Sequence, residues 1–381
     1  MTTMRKVVAI LVLVYLTALA AALPALAEEE RTSGFITVTD SDTGQIVCRT
    51  GRVVYPGDQY LTGNNLLYRV TRIKATTAYA DFIRREELYA LAPTGWDRLA
   101  RAIHRTAAVL GLARKDNPTA RPVAIYHTHS DESYVPTEGT FSRPGGGGVL
   151  AVGEVLADRL RGDGIPVIHS EASHDPHDGL AYERSRRTAI DLLKRNPIAL
   201  FDIHRDAAPR QEYADRIDNE GVTKIQIVLG TSNPNLMANE AFAKRIKAVV
   251  DSKYPGLIKG IWYGQGKYNQ DLSPMALLLE FGAQTNSLQS AERGAAIFAA
   301  AAESVIITGA VKETRGAWRA FLYLLIGALV AIAAYLALNA RSFGDLGRGL
   351  GRFFKREFAG VLGNKKRARE APWEDRERED N

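Results

Sequence analysis

Cysteine is almost absent from this 381-residue chain, in which Cys48 is the single example. One thiol cannot form an intrachain disulfide, and it cannot supply the paired cysteines of a Cys₂ or Cys₄ zinc site. The chain also lacks any Gly-x-Ser-x-Gly sequence, which disfavours a serine hydrolase. If this protein binds zinc, the ligands must be histidine and carboxylate side chains, which suit a catalytic site better than a structural one.

A large excess of one charge is missing as well. The chain has 49 Lys+Arg against 43 Asp+Glu, which gives a net charge of +6. Much of the positive excess lies near the C-terminus, because residues 341–369 contain nine basic and two acidic side chains. The charge therefore does not indicate a nucleic-acid binder, and we expect no nucleic-acid partner.

The N-terminus has the features of an export signal. Arg5 and Lys6 precede a run without charges, residues 7–27, which ends in the small-residue pattern Ala25-Leu26-Ala27. These features predict a secretory signal peptide over residues 1–27, with an uncleaved membrane anchor as the alternative. Under either interpretation, the chain that follows residue 27 is expected to be exported.

A second apolar run lies near the C-terminus. Residues 320–340 contain no charged side chain, and 21 helical residues are long enough to cross a bilayer core of about 30 Å. The basic residues that follow predict a cytoplasmic tail over 341–381. The sequence thus predicts a single-pass protein of the cell membrane with an extracytoplasmic body.

The body between these ends divides into two parts that differ in the periodicity of their apolar residues. Residues 28–112 predict a β-rich module followed by a helix over 86–111. Residues 122–310 alternate short apolar strands with amphipathic helices, and no internal repeat is present. This pattern predicts an α/β domain whose mixed or parallel sheet is covered by helices on both faces.

Polar side chains follow three of the predicted strands. His127, His129 and Glu132 come after the first strand, His204 ends the third, and Glu280 ends the last. In open α/β sheets, ligands bind beyond the carboxyl ends of the strands. Two histidines and a carboxylate can hold a hydrolytic zinc ion, and a further carboxylate is needed as general base. If Glu132 is a ligand, Glu280 is free for that role.

The sequence also resembles a known family over roughly residues 34–308. It is similar to the stage II sporulation protein P family, and more distantly to zinc-dependent N-acetylmuramoyl-L-alanine amidases, in the segments IYHTHSDESY (125–134), YERSR (182–186), FDIHRD (201–206), YPGLIKGI (254–261), YNQDLSP (268–274) and LEFGAQTN (279–286). The resemblance implies a peptidoglycan hydrolase that cuts the amide between muramic acid and L-alanine. It also implies a role in septal wall thinning and engulfment during sporulation, with a lytic transglycosylase and other engulfment proteins as partners.

The resemblance assigns roles to individual residues. His129 and His204 match the family's zinc ligands, and Glu280 matches its catalytic glutamate. The third ligand is open, because the glycine-rich residues 144–148 lack the carboxylate that the wider amidases carry there. Glu132 is one candidate. His127 is the other, or a hydrogen-bond donor behind the ligands, because alternate side chains of a strand share a face.

Two alternatives stay open, and one feature departs from the family. The same ligands would suit a zinc endopeptidase or carboxypeptidase acting on stem peptides, and a wall-binding scaffold without activity would keep the fold. Family members are typically held by an N-terminal anchor, whereas this sequence predicts a C-terminal span. That departure concerns anchoring and does not touch the catalytic motifs.

Overall fold

The computed structural model describes residue 31 and residues 34–88 and 121–306. The predicted signal peptide, nearly all of the predicted helix over 86–111, the predicted span over 320–340 and the predicted tail lie outside the described residues. Within the described ranges, no helix combines the length and the apolar character needed to cross a membrane.

Thirteen strands form in the described part of the chain. The five N-terminal strands are β1 (Ile36–Asp40), β2 (Ile46–Thr50), β3 (Gln59–Thr62), β4 (Leu66–Lys74) and β5 (Thr77–Arg85). The strands that follow are β6 (Val123–Tyr126), β7 (Val167–His169), β8 (Ala199–Asp206), β9 (Ala214–Ile217), β10 (Glu220–Thr223), β11 (Ile225–Gly230), β12 (Ile258–Gly264) and β13 (Ala276–Ala283).

The helices alternate with the later strands. They are α1 (Val135–Glu138), α2 (Val149–Gly162), α3 (Ala181–Leu193), α4 (Leu236–Lys253) and α5, whose described residues are 288–306. The four longer helices agree with the alternation of strands and amphipathic helices predicted for residues 122–310, because each buries an apolar stripe that repeats at helical spacing.

Eleven of the described strands join one sheet in the order β2-β1-β5-β4-β3-β12-β11-β13-β8-β6-β7. Strands β13, β8, β6 and β7 run parallel, whereas β13 is antiparallel to β11. Strand β3 pairs antiparallel with β12, so the N-terminal strands continue the sheet of the α/β region. The predicted mixed sheet is therefore confirmed.

Side chains on both faces of the central strands are buried, which explains why these strands read as continuous apolar runs. One face packs against α2, α4 and α5, for example through Leu156, Phe242 and Phe298. Helix α3 covers part of the other face through Ala189 and Leu192. The remainder of that face packs against the strands β1, β4 and β5 in a cluster that includes Val38, Val70, Ala80, Val228, Trp262 and Leu278.

Candidate active site

The site lies at the carboxyl ends of three adjacent parallel strands, β13, β8 and β6. His204 on β8 is paired in register with Glu280 on β13. Residues paired across neighbouring strands point to the same face, so these two side chains emerge side by side. The loop after β6 brings His129 and Glu132 to the same edge.

Three side chains converge there into one buried group. Glu132 Oε1 lies 3.2 Å from His129 Nδ1 and 3.3 Å from His204 Nδ1. One ligand atom from each of these residues lies within 4.8 Å of the other two. This spacing allows a single metal ion to contact all three side chains. We refer to His129, Glu132 and His204 as the His-Glu-His group.

Backbone contacts explain how the loop presents Glu132. Thr128 anchors the loop on Asp202, to which its N–H donates at 2.8 Å and its hydroxyl at 2.6 Å. A Cβ atom on Gly147 would lie 2.1 Å from the carbonyl oxygen of Glu132. The glycine-rich segment 144–148 thus permits its backbone to approach Glu132, and only a residue without a side chain fits at position 147.

The pKa values of Glu132 and His204 are shifted in opposite directions. Burial disfavours the carboxylate of Glu132, but His204, Arg205 and hydrogen bonds hold its pKa well below the usual value. The Arg205 N–H donates to Glu132 Oε2 at 2.8 Å. Burial also opposes the protonated form of His204, yet the carboxylates Asp202 and Glu132 raise its pKa well above the usual value. Nε2 of His204 lies 3.0 Å from Asp202 Oδ1.

The donor set fits a catalytic zinc ion. Burial lowers the pKa of His129, which leaves a neutral ring with a lone pair available to a metal. The lowered pKa of Glu132 favours the carboxylate form that a metal ligand needs. Two imidazoles and one carboxylate match the three protein ligands of many zinc hydrolases. Asp202, close behind His204, matches the carboxylate that commonly orients such a ligand.

Glu280 stands beside this group and is not a member of it. Arg52 Nη1 donates to Glu280 Oε1 at 2.8 Å. The other oxygen, Oε2, is buried and has no hydrogen-bond partner among the described residues. Burial raises the pKa of Glu280 to about 8, even though Arg52 and His204 oppose the shift. A carboxyl group with one oxygen held and one open is suited to accept a proton from a bound water.

The side chain of His127 contacts residues outside the His-Glu-His group. Strand β6 ends at Tyr126, so the side-chain alternation expected for His127 and His129 does not extend to them. The Nδ1 atom of His127 lies 3.2 Å from the carbonyl oxygen of Ile203, and its Nε2 lies 2.7 Å from His169 Nε2. Burial lowers the pKa of His127 to about 3. Of the two candidates for the third ligand, Glu132 is the one that the structure brings to His129 and His204.

The structure adds three residues that the sequence did not single out for the site. His177 stacks on the ring of His129 with 4.1 Å between centroids, and Tyr182 meets that ring edge-on at 5.6 Å. Arg52 comes from the segment after β2, far from every motif. A histidine in a polar loop gives a weak signal for such a position, and a lone arginine among strands gives none.

Comparison with known proteins places the chain in a family. The class defined by the fold and the site is an α/β protein with a buried His-Glu-His group at the carboxyl ends of its strands. The model of the stage II sporulation protein P family matches residues 86–303, and the chain belongs to this family. Stage II sporulation protein P of Bacillus subtilis (strain 168) is 31% identical over 207 residues, which cover 48% of this chain and 52% of that protein. The chain therefore spans about half the length of this curated relative.

Solved structures show weaker similarity. N-acetylmuramoyl-L-alanine amidase AmiC2 of Nostoc punctiforme is 15% identical with a TM-score of 0.30, and the match covers 49% of this chain and 96% of the amidase. The N-acetylmuramoyl-L-alanine amidase from Clostridium difficile 630 is 16% identical with a TM-score of 0.31, covering 51% and 97%. Scores this low do not define a shared fold.

Proposed function

We propose that this protein is a zinc-dependent peptidoglycan hydrolase that cleaves the amide bond between N-acetylmuramic acid and L-alanine during sporulation. Membership of the stage II sporulation protein P family supports the sporulation role. The observation that carries the proposal is the pairing of the His-Glu-His group with Glu280, whose buried Oε2 has no hydrogen-bond partner among the described residues.

The chemistry needs a metal ligand set and a separate base, and the chain supplies both. His129, Glu132 and His204 would hold the zinc ion. When bound, zinc would supply a Lewis acid for the scissile carbonyl and favour ionisation of water near neutral pH. The nearby positive charge would also favour the carboxylate form of Glu280, whose pKa is otherwise raised by burial.

Glu280 performs the proton transfers in this mechanism. Its Oε2 accepts a proton from the attacking water and then delivers it to the amide nitrogen as the carbon–nitrogen bond breaks. The products are the carboxyl group of the muramic acid and a stem peptide with a free L-alanine N-terminus. Arg52 keeps the other carboxylate oxygen in place throughout.

Digestion of purified peptidoglycan tests this function. The protein is incubated with peptidoglycan after chelation and after return of zinc, and the products are identified by mass spectrometry. Zinc-dependent release of intact stem peptides that begin with L-alanine supports the amidase. Fragments cut within the stem peptide would indicate an endopeptidase or carboxypeptidase, and zinc-loaded protein without products would indicate a wall-binding scaffold.

The location and partners are part of the same proposal. The apolar runs at 7–27 and 320–340 support a single-pass protein whose body lies outside the cytoplasm, with peptidoglycan and the membrane as its surroundings. A lytic transglycosylase and other engulfment proteins are the proposed partners. Protease treatment of intact cells tests the location, because an extracytoplasmic body would be degraded while a tag after residue 381 stays protected.

A further inference from the structure

We propose that Arg52 is a positioning residue of the active site, which holds Glu280 Oε1 so that Oε2 remains open toward the reacting water. This inference rests on the proposed function. It extends the active site beyond residues 86–303, where the family match lies, into the N-terminal strands.

The contact between Arg52 and Glu280 is short and shielded from solvent. Arg52 Nη1 lies 2.8 Å from Glu280 Oε1, and the two side chains are 10% and 3% exposed. The Arg52 guanidinium also lies over the ring of Tyr268, 5.3 Å from its centroid. An ion pair that is both buried and stacked has little freedom to rearrange, in contrast to an exposed pair.

The backbone that carries Arg52 is fixed to the end of β8. The Gly51 N–H donates to Asp206 Oδ1 at 2.8 Å, and the Thr50 hydroxyl donates to the same carboxylate. Tyr213 donates to Asp206 Oδ2 at 2.9 Å. Asp206 lies two residues after His204, so the anchor of the Arg52 segment and one member of the His-Glu-His group belong to the same strand, β8.

Steric fit adds to this anchoring. A Cβ atom on Gly51 would lie 2.4 Å from the Cβ of Ala207 and 2.7 Å from its Cα. The segment therefore packs directly on the backbone that follows β8, and a glycine is required at this point. Arg52 consequently enters the site at a fixed position.

The asymmetry of the Glu280 carboxylate separates this arrangement from an ordinary structural ion pair. A buried pair that serves stability alone is favourable only when the remaining lone pairs are also satisfied. Here Oε1 is bound by Arg52, whereas the buried Oε2 has no hydrogen-bond partner among residues 34–88 and 121–306. One held oxygen and one open oxygen is the arrangement that a proton acceptor needs.

Substitution of Arg52 in the full-length chain tests the inference. Arg52→Ala should lower kcat about 100-fold, the effect of a misplaced catalytic group, with little change in KM. Arg52→Lys should fall between the wild type and Arg52→Ala, because an ammonium group can hold one oxygen but lacks the planar fork. Bound zinc should stay stoichiometric in both variants, because Arg52 is outside the His-Glu-His group.

Chemical rescue separates positioning from a structural role. Low concentrations of guanidinium should restore part of the kcat of Arg52→Ala, because the ion can occupy the space that the side chain leaves. Arg69→Gln is the matched control, since Arg69 is an exposed arginine on β4 and should keep wild-type activity.

The outcomes distinguish this inference from the proposed function. An inactive zinc-loaded wild type overturns the proposed function, and the role of Arg52 falls with it. An active wild type together with a fully active Arg52→Ala overturns only the inference. A third outcome also overturns the inference: kcat falls only because less protein is folded, as thermal unfolding would show, and guanidinium does not restore it.

Discussion

The acidic side chains Glu132 and Glu280 are buried at the site, and each lies beside basic side chains. Glu132 meets His204 and Arg205, and Glu280 meets Arg52. Removing one member of such a pair leaves its partner uncompensated in a low-dielectric environment. A substitution here should therefore be isosteric, or its effect on folding should be measured alongside activity, as with the thermal unfolding of Arg52→Ala.

We expect Glu280→Gln to abolish most of the hydrolytic activity. The amide keeps the shape of the side chain but cannot accept the proton, so cleavage of muropeptides should fall by about 10²- to 10⁴-fold. Zinc binding measured by calorimetry should be unchanged, because Glu280 is not part of the His-Glu-His group. Glu183→Gln, at an exposed position of α3, should cleave at the wild-type rate. Full activity in Glu280→Gln would remove Glu280 from the mechanism.

Zinc affinity should increase with pH near neutrality. The raised pKa of His204 means that its ring is protonated at neutral pH in the metal-free protein, so zinc must displace a proton. Displacement of one proton strengthens binding by up to about tenfold per pH unit until His204 is deprotonated without metal. Titrations in buffers with different ionisation enthalpies measure the released proton directly. An affinity independent of pH would contradict the protonated state of His204.

The site residues were predictable to different degrees. His129 and Glu132 follow one apolar strand, and His204 and Glu280 lie near the carboxyl ends of two others, so the rule that sites form at strand ends identifies all four. The choice between Glu132 and His127 depends on where β6 stops, which periodicity cannot fix to one residue. The long-range contact of Arg52 with Glu280 leaves no local pattern in the sequence.

At the scale of elements, α2 contains a glycine whose role is steric. A Cβ on Gly153 would lie 2.6 Å from Cε1 of His127 and 2.8 Å from Nε2 of His169. Alanine normally stabilises a helix by up to about 1 kcal/mol relative to glycine. At position 153 the overlap with the paired histidine rings should outweigh that gain.

We therefore expect Gly153→Ala to lower the free energy of unfolding by about 1–3 kcal/mol, the usual cost of overpacking. Gly162→Ala at the end of the same helix is the matched control. A Cβ there meets nothing within 4 Å, so the substitution should leave stability unchanged or raise it by up to about 1 kcal/mol. Urea unfolding measures both, and equal effects at the two positions would refute the steric role.

The longer helices and central strands were predictable because burial alone sets their periodicity. The connection of β3 to β12 was not, since pairing between strands nearly 200 residues apart has no signature in either segment. Antiparallel pairing at this junction makes the N-terminal strands an extension of the α/β sheet.

At the scale of the whole molecule, this continuity predicts cooperative unfolding. Ile36→Ala in β1 and Ile227→Ala in β11 each remove buried apolar atoms, and each should cost about 2–5 kcal/mol. Because both strands belong to one sheet, each substitution should shift one common transition of the folded body to lower temperature. Differential scanning calorimetry checks this, and two separate transitions that respond to one substitution each would contradict it.

The position of β13 has a consequence for the timing of assembly. This strand comes last in the chain among the described strands, yet it lies between β11 and β8 in the interior of the sheet. During synthesis the chain is made from its N-terminus, so β11 on one side of β13 and β8 on the other are complete before β13 exists. Until then, a gap separates the two parts of the sheet. Glu280 arrives with the strand that closes the gap. The completed sheet and the pairing of Glu280 with His204 thus appear in one step, so a partly emerged chain has its histidines without the carboxyl group beside them.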